Sequence, residues 1–510
     1  MKRIGALVLS AALLLSGCGA GGGDPYVPTG DGLYQENESV DVQTQITKEQ
    51  LIIPYYPEKT LNPYQCNEPN NKALLSLMYQ GLFALDQDYE TWPILCQSYQ
   101  VSWDLKTYTF TLTDATFSDG TAVTAQDVVA SLKAARKGDV YKGRFSNVDE
   151  ISATEEGAVE IVMEVPCENL IKLLDVPIVK ESQVEDPIPL GTGPYVFVSG
   201  EQPVLERNSS WWCNGGVPVT AEKIKLQKAG TPSQLRDAFE FSNLSMVTTD
   251  PGSDTYADFH SDYELWESEN GIFVYLACNQ ESAVLSNLDL RRELLQAIDR
   301  ESIVMEYYRG FATAATLPAS PQSPYYHSAL ANQYTYQPMR LIQAVEEYRE
   351  VATQEVSLLV NSEDGIRLRV ANRIAQDLNR CGMKVKVNAL PTKEYVAALK
   401  AGEFDLYLGQ TRLSSNMDLS AFFAPDGALS FGGMSDPAIY SLCLEALANQ
   451  GNYYNLYQKI LEKGMLCPIL FRSYAIYTRR GSFRGLVPSR DNLFFYHLDR
   501  TMEDALIVEE

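Results

Sequence analysis

The residues that decide the fold are EVSLLVN at 355–361, GIRLRVANRIAQDLNR at 365–380, KVKVN at 384–388, TKEYVAALK at 392–400 and FDLYLG at 404–409. Ile366, Val370, Ile374 and Leu378 recur at helical spacing, so 365–380 reads as an amphipathic helix stopped by Gly382. Thr392 reads as the cap of a second helix, which Gly402 ends. The short apolar runs between them read as strands. Strands alternating with helices on short connections imply right-handed βαβ units and a parallel sheet. Ligands of such sheets sit beyond the carboxyl ends of the strands, which singles out the loops 362–365 and 410–417.

Working outward, 286–310 predicts two helices end to end: Leu290, Leu294, Ala297 and Ile298 form one stripe, Asp299 caps the second helix and Gly310 ends it. QLIIPYY at 50–56 reads as a first strand, followed by a long polar loop and an amphipathic helix from about Lys72 to Leu82. In VSWDLKTYTFTLT at 101–113, Tyr108, Phe110 and Leu112 alternate onto one face, which predicts one half-buried strand. Thr124 and Asp127 form a capping box opening a helix through about Ala135. No internal repeat is present.

The N-terminus, MKRIGALVLSAALLLSGCG, places Lys2 and Arg3 before an apolar run from Ile4 to Leu15, then Ser16, Gly17 and Cys18. That order is a secretion signal, too short for a stable membrane span. Leu-Ser-Gly-Cys resembles the lipobox, which implies residues 1–18 as a lipoprotein signal peptide and a diacylated Cys18. Two buried chains suffice for stable anchoring. The segment 19–47 lacks apolar periodicity and reads as a flexible tether. Cleavage removes both early basic residues and no acid, leaving 39 basic against 66 acidic side chains, a charge of −27. This excess argues against nucleic acid and anionic membrane surfaces as partners. Eight further cysteines, without a CxxC pair or a nearby histidine, give no metal-site spacing and read as isolated buried thiols ahead of disulfides.

Several stretches resemble the family 5 extracellular solute-binding proteins, receptors of oligopeptide, dipeptide and nickel ABC importers. LNPY at 61–64, the run from MYQGLFALDQ to SLKAA at 78–135, PLGTGPYVF at 189–197, LERNSSWWCNGG at 205–216 and LDLRRELLQAIDRESIV at 288–304 carry the likeness. It implies an α/β, two-lobed periplasmic-binding-protein-like fold of type II, with discontinuous lobes and an extra subdomain in the first. Lobe I is placed at 48–275 and 468–510, with a subdomain at about 65–185, and lobe II at 280–465. Strands near Phe273 to Asn279 and Ile469 to Tyr474 would be the hinges.

The resemblance also nominates ligand contacts. In the family's peptide receptors the loop after the strand spelled here FDLYLG carries an aspartate for the peptide amino terminus. Here Ser414 or Ser415 falls at that place, followed by Asn416 and, a little later, Asp418. Arg412 in the same loop either pairs with an anionic ligand group, as a planar guanidinium does well, or faces solvent. Tyr395 falls where such receptors carry an aromatic against the ligand, or it is core. Asn67 and Glu68 lie in the loop where the other lobe touches ligand backbone. Trp211 and Trp212 are read as fold residues rather than a stacking platform.

The expected function is an ABC-importer receptor, monomeric and lipid-anchored outside the cell, that hands a short peptide or similar small organic ligand to permease subunits. A surface ligand sensor or an oligosaccharide-binding receptor on the same fold is the alternative. A surface hydrolase is a further one, but GxSxG, SxxK and HExxH are absent, and His260, His327 and His497 lie in unrelated contexts. No cofactor or metal is expected, and the lack of a histidine in 410–418 weighs against nickel or haem.

Overall fold

The computed structural model describes residues 45–46, 51–213, 220–256, 258–496, 498 and 506–508. The signal peptide, Cys18, most of the tether and His497 lie outside the described residues. At the end of the expected tether, Gln45 and Ile46 pair antiparallel with Arg484 and Phe483.

The chain opens with β1 (Leu51–Tyr55) and α1 (Pro69–Met78). The helix starts earlier than the apolar pattern predicts, because Glu68 accepts the Asn71 N–H at 2.6 Å and Pro69 sits in the first turn. A five-stranded sheet follows, built on β2 (Cys96–Ser102), β3 (Thr107–Leu112), β4 (Val148–Ala153) and β5 (Val159–Met163), with Leu506–Val508 pairing parallel with β2 as the fifth strand and α2 (Ala125–Lys137) between β3 and β4. The predicted single strand at 101–113 is therefore a hairpin. Ser102 donates to Asp104 at 2.6 Å, Asp104 accepts the Lys106 N–H at 3.1 Å, and Leu105 turns to a positive φ of 59°. Asx chemistry in WDLK overrides the strand pattern there. The capping box of α2 forms as expected: the Thr124 N–H donates to Asp127 at 2.9 Å and the Asp127 N–H to Thr124 Oγ1 at 3.4 Å.

A four-stranded sheet joins β6 (Tyr195–Val198), β7 (Val204–Arg207) and β8 (Lys223–Lys228) to β1, in the order β1-β8-β7-β6. Trp211 is buried in the same core, its Nε1–H donating to Thr192 O at 2.9 Å. Then come β9 (Met246–Thr249) and the long β10 (Tyr263–Cys278), followed by α3 (Leu288–Leu294) and α4 (Arg300–Tyr308), which Asp299 caps.

The stretch 355–412 forms β11 (Glu355–Asn361), α5 (Gly365–Arg380), β12 (Lys384–Leu390), α6 (Thr392–Ala401) and β13 (Leu406–Arg412). β11 pairs parallel with both β12 and β13, as the βαβ reading requires. Thr392 does not cap α6. Pro391 holds that position, and the Thr392 hydroxyl instead donates to Glu363 at 2.7 Å. The last long strand, β14 (Leu466–Arg479), pairs antiparallel with β10 from Tyr263↔Arg479 to Ala277↔Leu466.

Two large apolar cores result. One gathers residues between Leu51 and Met246 with Ile476 and the segment from Phe483 to Leu498; the other gathers Phe273 to Phe471, together with Leu85 and Tyr89. β10 and β14 run through both, contributing Ile476 to the first and Phe273 and Phe471 to the second. All eight described cysteines are buried and unbridged, and burial pushes the Cys66 thiol up to about 11. Such thiols pack as small apolar groups and are poor nucleophiles.

Candidate ligand-binding site

The site is built where β13 leaves the sheet. β10 carries a bulge between Glu269 and Phe273, and Gly271 within it has φ 70°. A Cβ at Gly271 would land on the guanidinium of Arg490, so glycine is required both for the backbone and for that approach. The bulge fixes the end of β13: Arg412 Nε donates to Asn270 O at 3.1 Å and the Leu413 N–H to Gly271 O at 3.1 Å.

The following loop is held internally. Ser414 donates to Asn416 Oδ1 at 2.7 Å, and the Met417 N–H donates to Ser414 O at 3.0 Å with Met417 at φ 55°. Asn416 O accepts from the Tyr453 hydroxyl, and Ser415 is fully buried. Asp418 accepts the Ser420 N–H at 2.8 Å and Asn147 Nδ2 at 3.1 Å; burial raises its carboxyl. Asn147 belongs to the five-stranded subdomain, so Asp418 ties the two cores together. Nearby, the Glu168 N–H donates to Leu447 O at 2.8 Å and the Gln450 N–H to Glu168 at 3.0 Å.

Between these ties lies a cleft with about 890 Å3 of space, open solvent at its mouth included. Val140 to Ser146 wall one side, Thr411 to Ser414 with Asp418 and Phe422 the other, and Arg490 reaches in from the C-terminal segment. An adjoining cavity shares Val140 and Tyr141 and is lined by Lys72, Asp175 and Asp491. The charges form one network. Asp491 accepts Arg144 Nη2 at 3.0 Å and also Arg412 Nη2, while Arg144 Nη1 pairs with Asp175. Burial works to raise the Asp491 carboxyl, but Arg412, Arg144, Arg490 and Lys72 together hold it well below the usual carboxylate range. Burial lowers the Lys72 ammonium to about 8, with Arg412 adding to the effect.

Of the residues nominated from sequence, the structure brings Arg412, Ser414 and Asp418 to one cleft. Arg412 is neither solvent-facing nor free, being committed to Asp491, Asn270 and Val140. Ser415 and Asn416 turn into the core. Tyr395 is buried on α6, its hydroxyl donating to Leu408 O at 3.2 Å. Glu68 is the cap of α1, and Asn67 is exposed beside it; neither lines the cleft. The second nominated loop meets the segment after β9, where the Gly365 N–H donates to Asp254 at 3.1 Å. Sequence reasoning missed Lys72, Arg144, Asp175, Arg490 and Asp491, which sit in aperiodic stretches or far apart in the chain. Among the described residues there is no cluster of metal-ligating side chains, and no helix is long and apolar enough to cross a membrane.

Two cores threaded by paired long strands, with a charged cleft lined by loops of each, define a two-lobed solute receptor. Residues 90–428 match the signature of the bacterial extracellular solute-binding proteins, family 5 (middle region), and the chain belongs to that family. The glutathione-binding protein GsiB of Salmonella typhi is 24% identical over 366 residues, 67% of this chain and 69% of that one. Two solved structures share the fold. NikA from Brucella suis, in complex with Fe(III)-EDTA, superposes with TM-score 0.68 at 20% identity over 87% of this chain and 99% of its own. The ABC transporter substrate-binding protein CtaP from Listeria monocytogenes gives TM-score 0.70 at 18% identity over 87% and 97%. Membership in an extracellular family gives an extracytoplasmic location.

Proposed function

We propose that the chain is the lipid-anchored receptor of an ABC importer, and that it captures a short peptide or a similar small organic ligand between its lobes without transforming it. The observation that carries this reading is the cleft walled by Val140 to Ser146 on one side and Thr411 to Ser414 on the other, with β10 and β14 as the hinge strands beneath it. The glutathione-binding relative supports the ligand class, glutathione being a tripeptide, and the signal sequence ending in Cys18 supports the anchor. Ligand binding then shifts an open–closed equilibrium, with Asn147–Asp418 and Glu168–Gln450 as contacts of the closed form.

Mass spectrometry of what is released on denaturing the purified protein, followed by small-angle scattering with and without that compound, tests the proposal. Contraction at saturation is expected. An unchanged radius for a compound that binds would remove the closing-cleft mechanism.

A further inference from the structure

Arg490 lines the cleft yet is only 8% exposed. Its Nη2 donates to Leu413 O, but its Nε and Nη1 are buried without a hydrogen-bond partner among the described residues. A buried guanidinium left this way is costly, because a charge out of water needs both a counter-charge and acceptors for its N–H groups. Asp491, the carboxylate next to it in the chain, is already shared by Arg144 and Arg412. Around the two cavities stand five cations, Lys72, Lys142, Arg144, Arg412 and Arg490, against Asp175, Asp418 and Asp491. Glu269, whose oxygens accept the Tyr89 and Ser320 hydroxyls at 2.6 Å each, is a further acid that acts on Arg490. Even with Glu269 ionised, positive charge exceeds negative by one. That local surplus stands in a chain whose net charge is −25, so it is a feature of the cleft and not of the composition.

We propose that Arg490 is the anchor for an oxyanion of the captured ligand, and that this receptor therefore selects compounds carrying a free carboxylate. The inference rests on the capture function above and names its ligand chemistry. A planar fork matches a carboxylate through two parallel N–H···O bonds. The surplus of one charge suits a carboxylate, carrying one charge, better than a phosphate. The bulge at Gly271 lets the guanidinium lie against the strand common to both lobes, so an anion bound there touches both walls of the cleft.

The test uses the full chain and three probes: free-acid tripeptides together with small mono- and dicarboxylic acids, the same compounds amidated, and inorganic phosphate. Binding is read by native mass spectrometry and calorimetry for the wild type, Arg490→Met and Arg490→Lys. The acids bind, the amides bind at least about tenfold more weakly, and both substitutions lose about tenfold or more toward the acids, as expected for charge-assisted hydrogen bonds. Without ligand, Arg490→Met should unfold at or above the wild-type temperature, since it removes an unpartnered buried charge. A less stable ligand-free Arg490→Met marks the residue as structural and overturns the proposal. So do amides that bind as well as acids, or phosphate that binds in their place, and in both of these cases capture itself stands. Failure of every probe to bind overturns the subsite and the peptide-receptor reading together.

Discussion

Asp491→Asn removes one negative charge from between two guanidiniums while keeping the shape of the side chain. Asp491 accepts Arg144 Nη2 at 3.0 Å and Arg412 Nη2 as well, and all three side chains are largely buried. Breaking a buried ion pair by deleting one partner costs about 3–5 kcal/mol, because the other charge stays behind uncompensated. Here two cations stay behind, and Arg144 retains only Asp175. Against a typical stability of about 5–15 kcal/mol the loss is large. Its pH dependence has a fixed sign. The folded-state carboxyl is held well below its ordinary value of 3.8, so its contribution is present above that value and is lost only as pH falls toward the folded one. Urea unfolding at a series of pH values should therefore show a deficit in Asp491→Asn that is constant through neutral pH and shrinks in acid. Adding Arg412→Met should recover part of it, since removing both partners is far milder than removing one. A deficit under about 1 kcal/mol at neutral pH, or one that grows in acid, would refute the assignment of Asp491 as the shared counter-ion.

Gly271→Ala forces a Cβ onto the Arg490 guanidinium at φ 70° and should lower stability by about 1–3 kcal/mol in denaturant titrations, together with acid binding; an unaffected variant means the bulge is not needed. Burial raises the Glu269 carboxyl above its ordinary 4.5, so its contribution is full below that pH and falls as pH rises through the folded value. Glu269→Gln should flatten the stability profile in that window, and an unchanged slope assigns the titration elsewhere. Cys18→Ala should release the protein from membranes, as fractionation and immunoblotting would show, whereas retention would remove the lipid anchor. Because the Lys72 ammonium is lowered to about 8, affinity for carboxylates should fall as pH rises through that value, and calorimetry on Lys72→Met should show a flatter dependence.

Local patterns were legible in the sequence because their physics is local. The apolar spacing of 365–380, the stops at Gly382 and Gly402, and the Thr124–Asp127 box each act within one or two turns, and the structure forms them as read. The parallel order of β11, β12 and β13 follows from the same segment, since short βαβ connections leave little choice. Where two local signals competed, the sequence alone misplaced the outcome: WDLK broke a strand pattern into a hairpin, and Pro391 displaced Thr392 from the cap.

The candidate site was legible only in part. The loop after FDLYLG was identified from its place beyond a strand end, and Arg412, Ser414 and Asp418 do line the cleft. What each of them does there was decided by residues that no periodicity connects to them. Asp491 meets Arg144 across 347 positions, and Asn147 meets Asp418 across 271. A lone Arg or Asp in an aperiodic stretch such as SRDN gives no signal about its surroundings. Whether it is solvated, paired or buried without a partner depends on what the rest of the chain places around it. The sequence by itself determined most of the elements, the family and the loop, whereas only the tertiary structure, by bringing distant charges out of water together, decided which of them hold one another and that Arg490 Nε and Nη1 are left without a partner among the described residues.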